Sequence, residues 1–363
     1  MNVQASQKSL QLQNKRRTVH LNKLIMKREE ILSRLGFTVS QNKKKRVILI
    51  SDIHCEADDP FAIMQHLLTP SFDVKGIVAC HFEMVARRKE AMLLEHPELA
   101  GRIGAVPDFL KNLFPARDCS MQSSYEEGQM LLNLAGIDDV PLLHGSVREL
   151  GEGELPESEG ADFIIREAMK EEPAPLYVCT LGAQTDLAIA YLKCPEIAER
   201  LTAVCILGGA YPCGGQEFNV MQDIKAANIL LESNMPYWQI PANVYSCCEL
   251  SFAELVSQIR PCGELGSWLV RQMFEYYAGM SAVAPGNFPN AEVWSIGDNP
   301  TAGVLLQSAD RICWHEAPAP HVNDDGSYVI NPNARKIRVY DSFDRRLTIH
   351  DLIAKIQLCY RGF

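Results

Sequence analysis

A chain of 363 residues, 47% of them apolar and 22% charged, is long enough to bury a sizeable core as one large α/β domain or two of ordinary size. Its net charge of −10 argues against a nucleic-acid backbone as main partner, because phosphate binding needs concentrated Lys and Arg; a small neutral or cationic ligand fits better. No apolar run reaches the roughly 18 residues that span a bilayer, and the first residues lack a secretory apolar stretch, so a cytoplasmic protein with no membrane partner is expected.

Residues 1–44 are polar and basic, with Leu21, Leu24, Ile25, Ile31, Leu32 and Leu35 in rough helical spacing and Gly36 as a stop. The pattern predicts an N-terminal helical extension that docks on the body or on a neighbouring subunit, or else stays solvated. From residue 45 to 363 short apolar runs alternate with helical periods and no internal repeat or low-complexity linker is visible, the pattern of a single α/β domain. Its expected architecture is a doubly wound, mainly parallel open sheet with helices on both faces. The strands are predicted at Val47–Ile50, Val74–Ala79, Val140–Leu143, Leu176–Leu181, Ala203–Leu207 and Tyr237–Ile240. Ser124 and Glu127 suggest a capping box for a helix ended by Gly136, Ala161, Ile164, Ile165, Ala168 and Met169 share a helical face, and Asp223 is the natural N-cap of the helix after it. Twelve cysteines without a C-x-x-C pair read as free thiols, several inside apolar runs, rather than a zinc site or a disulfide framework.

The segment VILISDIHCEADDPFAI places Asp52, Glu56, Asp58 and Asp59 between a buried strand and an apolar helix. Carboxylates so close repel one another unless they are solvated, partly protonated or gathered round a cation, and oxygen-only ligands favour a hard ion such as Ca²⁺ or Mg²⁺. Asp58 and Asp59 are also placed to cap the helix that follows. Asp52-Ile53-His54 matches the D-x-H that opens the two-metal site of metallophosphoesterases, but the G-D-x-x-D and G-N-H-[DE] that site needs are missing; Gly297-Asp298 comes too late and runs into Asn-Pro.

Together with that loop, CTLGAQTDLAIAYLKCPEIAERLTAVCILGGA, QEFNVMQDIKAANILLESNMP and WSIGDNPTAGVLL resemble the inosine-uridine-preferring nucleoside hydrolases over roughly residues 45–310, in the family's order. The resemblance implies the family's Rossmann-like fold and an enzyme of purine or pyrimidine salvage that splits a ribonucleoside or related N-riboside into ribose and base. In the family a D-x-D-x-x-x-D-D loop holds calcium and ribose, and its last two positions fall on Asp58 and Asp59. Counting straight back puts His54 at the middle aspartate, whereas a loop two residues longer puts Asp52 there; a base that also binds calcium should be a carboxylate, which selects Asp52. By the same likeness Asp52, Asp59, Asp298 and the carbonyl of Leu181 are the calcium ligands, and Asp58, Glu217 and Asn219 hold the sugar. Calcium would acidify a water, Asp52 would take its proton, and Asp58 would steady an oxocarbenium-like transition state.

The match departs from the family where many members carry a histidine before the late aspartate, the acid for a departing base; here Gly297 stands there. His54, His81, Trp294 and Tyr211 are candidate replacements, His81 foremost because it follows a strand end. The family's asparagine after the second strand is replaced by Cys80 and His81, and the glycine-rich stretch GGAYPCGGQEFN is short and lacks an asparagine. A homodimer or homotetramer is implied by the likeness. The alternative reading is a non-catalytic calcium- and ribose-binding relative that serves as a sensor or an assembly subunit.

Overall fold

The computed structural model describes residues 27–99, 115–283 and 292–362, so Leu21, Leu24 and Ile25 of the expected extension lie outside the described residues. All six predicted strands form: β1 (Lys45–Ser51), β2 (Phe72–Ala79), β3 (Leu142–His144), β4 (Leu176–Thr180), β5 (Leu201–Ile206) and β6 (Tyr237–Ile240). Six short or alternating strands follow that the apolar-run pattern does not mark. They are β7 (Glu249–Ser251), β8 (Val293–Ser295), β9 (Cys313–Pro318), β10 (Pro320–Val322), β11 (Tyr328–Ile330) and β12 (Lys336–Ser342). One sheet of eight strands runs β3-β2-β1-β4-β5-β6-β12-β9, and β7-β8 and β10-β11 are separate pairs. Every pairing in the large sheet is parallel except that of β9 with β12.

β1 shows why these runs are strands. Val47 and Leu49 face one core and Ile48 and Ile50 the other, all with no exposure, which is the period-2 alternation of a strand covered on both sides. One face is covered by α2 (Asp59–Leu67), α4 (Ser120–Ala135), α9 (Gly263–Val283), α10 (Pro300–Leu306) and α11 (Arg345–Tyr360). The other carries α5 (Glu159–Ala168), α6 (Thr185–Lys193) and α8 (Ile224–Glu232). The remaining described α-helices of five residues or more are α1 (Arg28–Ser33), α3 (Glu83–Glu95) and α7 (Phe218–Gln222), and two shorter ones span Ala242–Tyr245 and Phe252–Glu254. Asp223 caps α8 as its sequence position suggests, accepting from Ala226 N, and Gly136 ends α4 in the left-handed conformation (φ 72°).

α4 corrects one expectation. It begins at Ser120 rather than after Ser124, so Ser124 sits buried inside the helix, and Glu127 is drawn away to His54 instead of closing a capping box. The described part of the extension docks on the body. Ile31 and Leu35 join the core, and the buried Arg28 guanidinium donates to the carbonyls of Leu67 (2.6 Å), Thr69 (3.0 Å) and Phe72 (2.7 Å). Those oxygens lie in the turn between α2 and β2, which has no ladder partner to offer them.

From β1 the chain moves outward through β2 to β3, then returns to lay β4 on the other side of β1. The strand order therefore reverses between β1 and β4, and a crevice opens beyond their carboxyl ends, the place where open α/β sheets bind ligands. Two sequence features project from it: the acidic loop after Ser51, and Leu181-Gly182 after Thr180.

Candidate active site

Asp52 leaves the end of β1 with 3% exposure; its Oδ1 lies against Gly182, where a Cβ would collide with it, and its Oδ2 is buried without a hydrogen-bond partner. Glycine at 182 is thus what lets the β4 loop approach the carboxylate. The chain then turns through residues 53–58 into α2, where Pro60 fits the first turn. Asp58 stands at the N-cap position, yet its side chain makes no capping bond. The carboxylate instead sits under the influence of its own backbone amide and those of Gly297, Asp298 and Asp59, which brings the acidic loop against the segment after β8. Asp59 accepts from the Ser51 hydroxyl.

Asp58, Asp59 and Asp298 each offer an oxygen within 4.8 Å of the others, and all three are buried. Burial pushes each carboxyl up, Asp58 to about 6, and for Asp59 and Asp298 the negative charges of the neighbouring carboxylates push further. Asp52 is raised by burial too, with Asp58, Glu56 and Glu217 adding to the effect. A positive ion among them removes the repulsion. The residues fit such an ion on two counts: a converging set of oxygens with no nitrogen or sulfur, suited to a hard divalent cation, and the orphaned Asp52 Oδ2 beside them.

The second wall is α7 and the residue before it. Glu217 caps α7, accepting from Val220 N and Gly208 N on one oxygen and from Asn219 N and the Tyr245 hydroxyl (2.8 Å) on the other. Its lone pairs are all engaged, so a ribose hydroxyl reaching Glu217 must displace Tyr245. Asn219 donates from Nδ2 to the carbonyls of Leu181 (2.7 Å) and Ile206 (3.1 Å), which spends both amide protons and leaves Oδ1 as an acceptor.

These groups surround one cleft of about 160 Å³. Asp52, Asp58, Asp59, Leu181, Glu217, Asn219 and Asp298, the residues singled out in sequence for base, sugar and cation, all line it. Glu56 of the acidic loop lines it too, as does Tyr245, to which the sequence attached no role. The only signal for Tyr245 is its position just beyond the carboxyl end of β6.

His81 does not line the cleft. It is fully buried, its Nε2 bonded to Thr185 Oγ1 (2.8 Å), which donates onward to Asp223 Oδ2 (2.7 Å), while Nδ1 faces the Glu83 amide. Burial drives its pKa down to about 3, so it is a neutral, fully bonded link between the loop after β2 and the cap of α8. His54 pairs with Glu127, and Tyr211 donates to Pro318 O (3.1 Å); neither lines the cleft. Trp294 is buried beneath it, edge-on to Tyr276 and Tyr277. At Gly297 an added Cβ would lie 2.9 Å from the Tyr245 ring, so the tyrosine holds the space a side chain there would need.

A doubly wound sheet with a cleft at its switch point, lined by an all-oxygen acidic cluster that could hold a cation, defines the class of α/β protein to which the chain belongs. Residues 48–346 match the inosine-uridine preferring nucleoside hydrolases, and the chain belongs to that family. It is 23% identical over 239 residues, 63% of this chain and 70% of the relative, to the pyrimidine-specific ribonucleoside hydrolase RihA of Salmonella paratyphi A. Over 201 residues, 54% of this chain and 61% of the relative, it is 32% identical to an uncharacterised protein of Schizosaccharomyces pombe. In fold it is similar to the purine-preferring ribonucleoside hydrolase from Gardnerella vaginalis, with a TM-score of 0.64 at 18% identity, covering 87% of this chain and 99% of that one.

Proposed function

We propose that the chain hydrolyses the N-glycosidic bond of a ribonucleoside or related N-riboside, with calcium as its metal. The observation that carries this reading is the convergence of residues from four separate segments (52–59, 181, 217–219 and 298) on one cleft at the switch point. Asp52, Asp59, Asp298 and the Leu181 carbonyl are the proposed cation ligands, of which Asp59 and Asp298 converge with Asp58 on one point. A divalent ion held there would supply positive charge that acidifies an adjacent water.

The chain's own part follows from its geometry. Asp52, with one oxygen buried and unpartnered in the same cleft, accepts the water's proton. Asp58, under the influence of those backbone amides, keeps its carboxylate toward the sugar, accepts ribose hydroxyls and steadies positive charge developing on the ring. Asn219 accepts a further hydroxyl through Oδ1. Glu217 holds the first turn of α7 in place and meets the sugar only where Tyr245 yields its bond.

The testing experiment is ribose release from purine, pyrimidine and pyridine ribosides, with calcium and with chelator. Calcium-dependent release is expected, and Asp52→Asn should lower it by about 10²- to 10⁴-fold with the fold intact, because an amide cannot take a proton. The second reading, a cation- and ribose-binding protein without turnover, draws on the absence of any imidazole among the described residues lining the cleft. Ribose binding without release from any riboside would favour it.

A further inference from the structure

The described lining of the cleft contains six carboxyl side chains, Asp52, Glu56, Asp58, Asp59, Glu217 and Asp298, and no histidine, lysine or arginine. Burial raises all six above the ordinary carboxyl range, so ionised carboxylates here call for positive charge, of which one divalent cation supplies two units. The place next to the late aspartate, beside Asp58, is a glycine whose missing side chain is replaced in space by the Tyr245 ring. No nitrogen acid therefore stands ready to protonate a departing base among the described residues.

Glu56 is not one of the three carboxylates gathered as a cation site, and it lies in the longer part of the acidic loop. It lines the same cleft as the aromatic side chains of Phe218 and Tyr245. A carboxylate set among aromatic side chains is the chemistry that receives an organic cation.

We propose that the preferred substrate is a cationic N-riboside, whose aglycone carries its positive charge on the ring system bonded to ribose, and that Glu56 is the residue facing that charge. This rests on the ribohydrolase reading above. It also answers the want of an acid. When the bond from the anomeric carbon to such a base breaks, its electron pair neutralises the aglycone's charge, and the base leaves uncharged without taking a proton. Water oxygen forms the new bond to the anomeric carbon and its proton passes to Asp52, giving ribose, neutral base and one proton.

The test compares kcat/KM of the full chain, in saturating calcium, for two charged and neutral pairs: 7-methylguanosine against guanosine, and nicotinamide riboside against uridine. The charged member should lead by about a hundredfold or more in each pair, and Glu56→Gln should lower the charged substrates about tenfold more than the neutral ones, mainly through KM. Equal or better turnover of guanosine and uridine, or an equal effect of Glu56→Gln on both classes, would overturn the inference and leave the ribohydrolase standing. Release from none of the four removes the ribohydrolase reading and the inference with it. Should Glu56→Gln not fold, wild-type protein supplies the readout: N-methylnicotinamide, a cation, must raise Tm at about tenfold lower concentration than neutral nicotinamide, and equal effects refute the assignment.

Discussion

Two glycines fix the chemistry of the cleft at the scale of single residues. Gly182 admits the Asp52 carboxylate against the β4 loop, so Gly182→Ala should displace Asp52 and cost activity well before it costs the fold; unchanged turnover with an ordinary Tm would show that Asp52 is not positioned this way. Gly297 is pressed by the Tyr245 ring, so Gly297→Ala should lower stability by about 1–3 kcal/mol through overpacking. Combined with Tyr245→Ala the loss should be smaller than the sum of the two single losses, because the ring causes the strain. Strict additivity in denaturant melts of the four proteins would separate the two sites. His81 illustrates why a residue type near a strand end is weak evidence. Its Nδ1 takes the nearby Glu83 amide, and its Nε2 is consumed by Thr185, a partner that no local sequence pattern links to it.

Among the elements, α1 is tied to the turn between α2 and β2 mainly through Arg28. Arg28→Ala takes the guanidinium donor from three carbonyls at that turn, of which Thr69 O keeps the Phe72 amide, and a loss of about 2–4 kcal/mol is expected by chemical denaturation; a change below about 0.5 kcal/mol would mean that α1 is not docked in solution. α2 carries a pH-sensitive group of its own. His66 is buried, its Nδ1 bonded to Ala62 O (2.8 Å), and burial lowers its pKa to about 4. Below its unfolded value near 6.5 the unfolded chain binds the proton and the folded one does not. The contribution is therefore complete above about pH 6.5 and is lost at roughly 1.4 kcal/mol per unit as pH falls toward 4. Wild type and His66→Asn, compared from pH 7.5 to 4.5, should show a difference in unfolding free energy that shrinks with acid; a constant difference would contradict a neutral buried imidazole. The other buried groups largely cancel in that subtraction.

In the whole molecule, the reversal of strand order between β1 and β4 brings the acidic loop, the Leu181 carbonyl, α7 and the segment after β8 together. The buried carboxyls at that crevice oppose the fold when ionised, so a divalent ion should raise Tm, by the equivalent of about 2.7 kcal/mol at one hundred times its Kd. Asp298→Asn should shrink that rise, and identical melts of stripped protein with and without calcium would remove the cation assignment. What the sequence determined by itself was local or repetitive: six apolar strands, the Asp223 cap, the Gly136 stop, and an acidic loop whose close carboxylates call for solvation, protonation or a cation. Strands β9 and β12 escaped it because β9 is exposed along most of its length and β12 alternates with charged residues, so neither shows a continuous apolar run. Only the tertiary structure decided which candidates share a cleft. It placed Glu56 in one cleft with Phe218 and Tyr245, filled the space at Gly297 with that tyrosine from the short helix after β6, and buried His81 elsewhere, because packing brings together side chains far apart in sequence and local patterns carry no record of those partners.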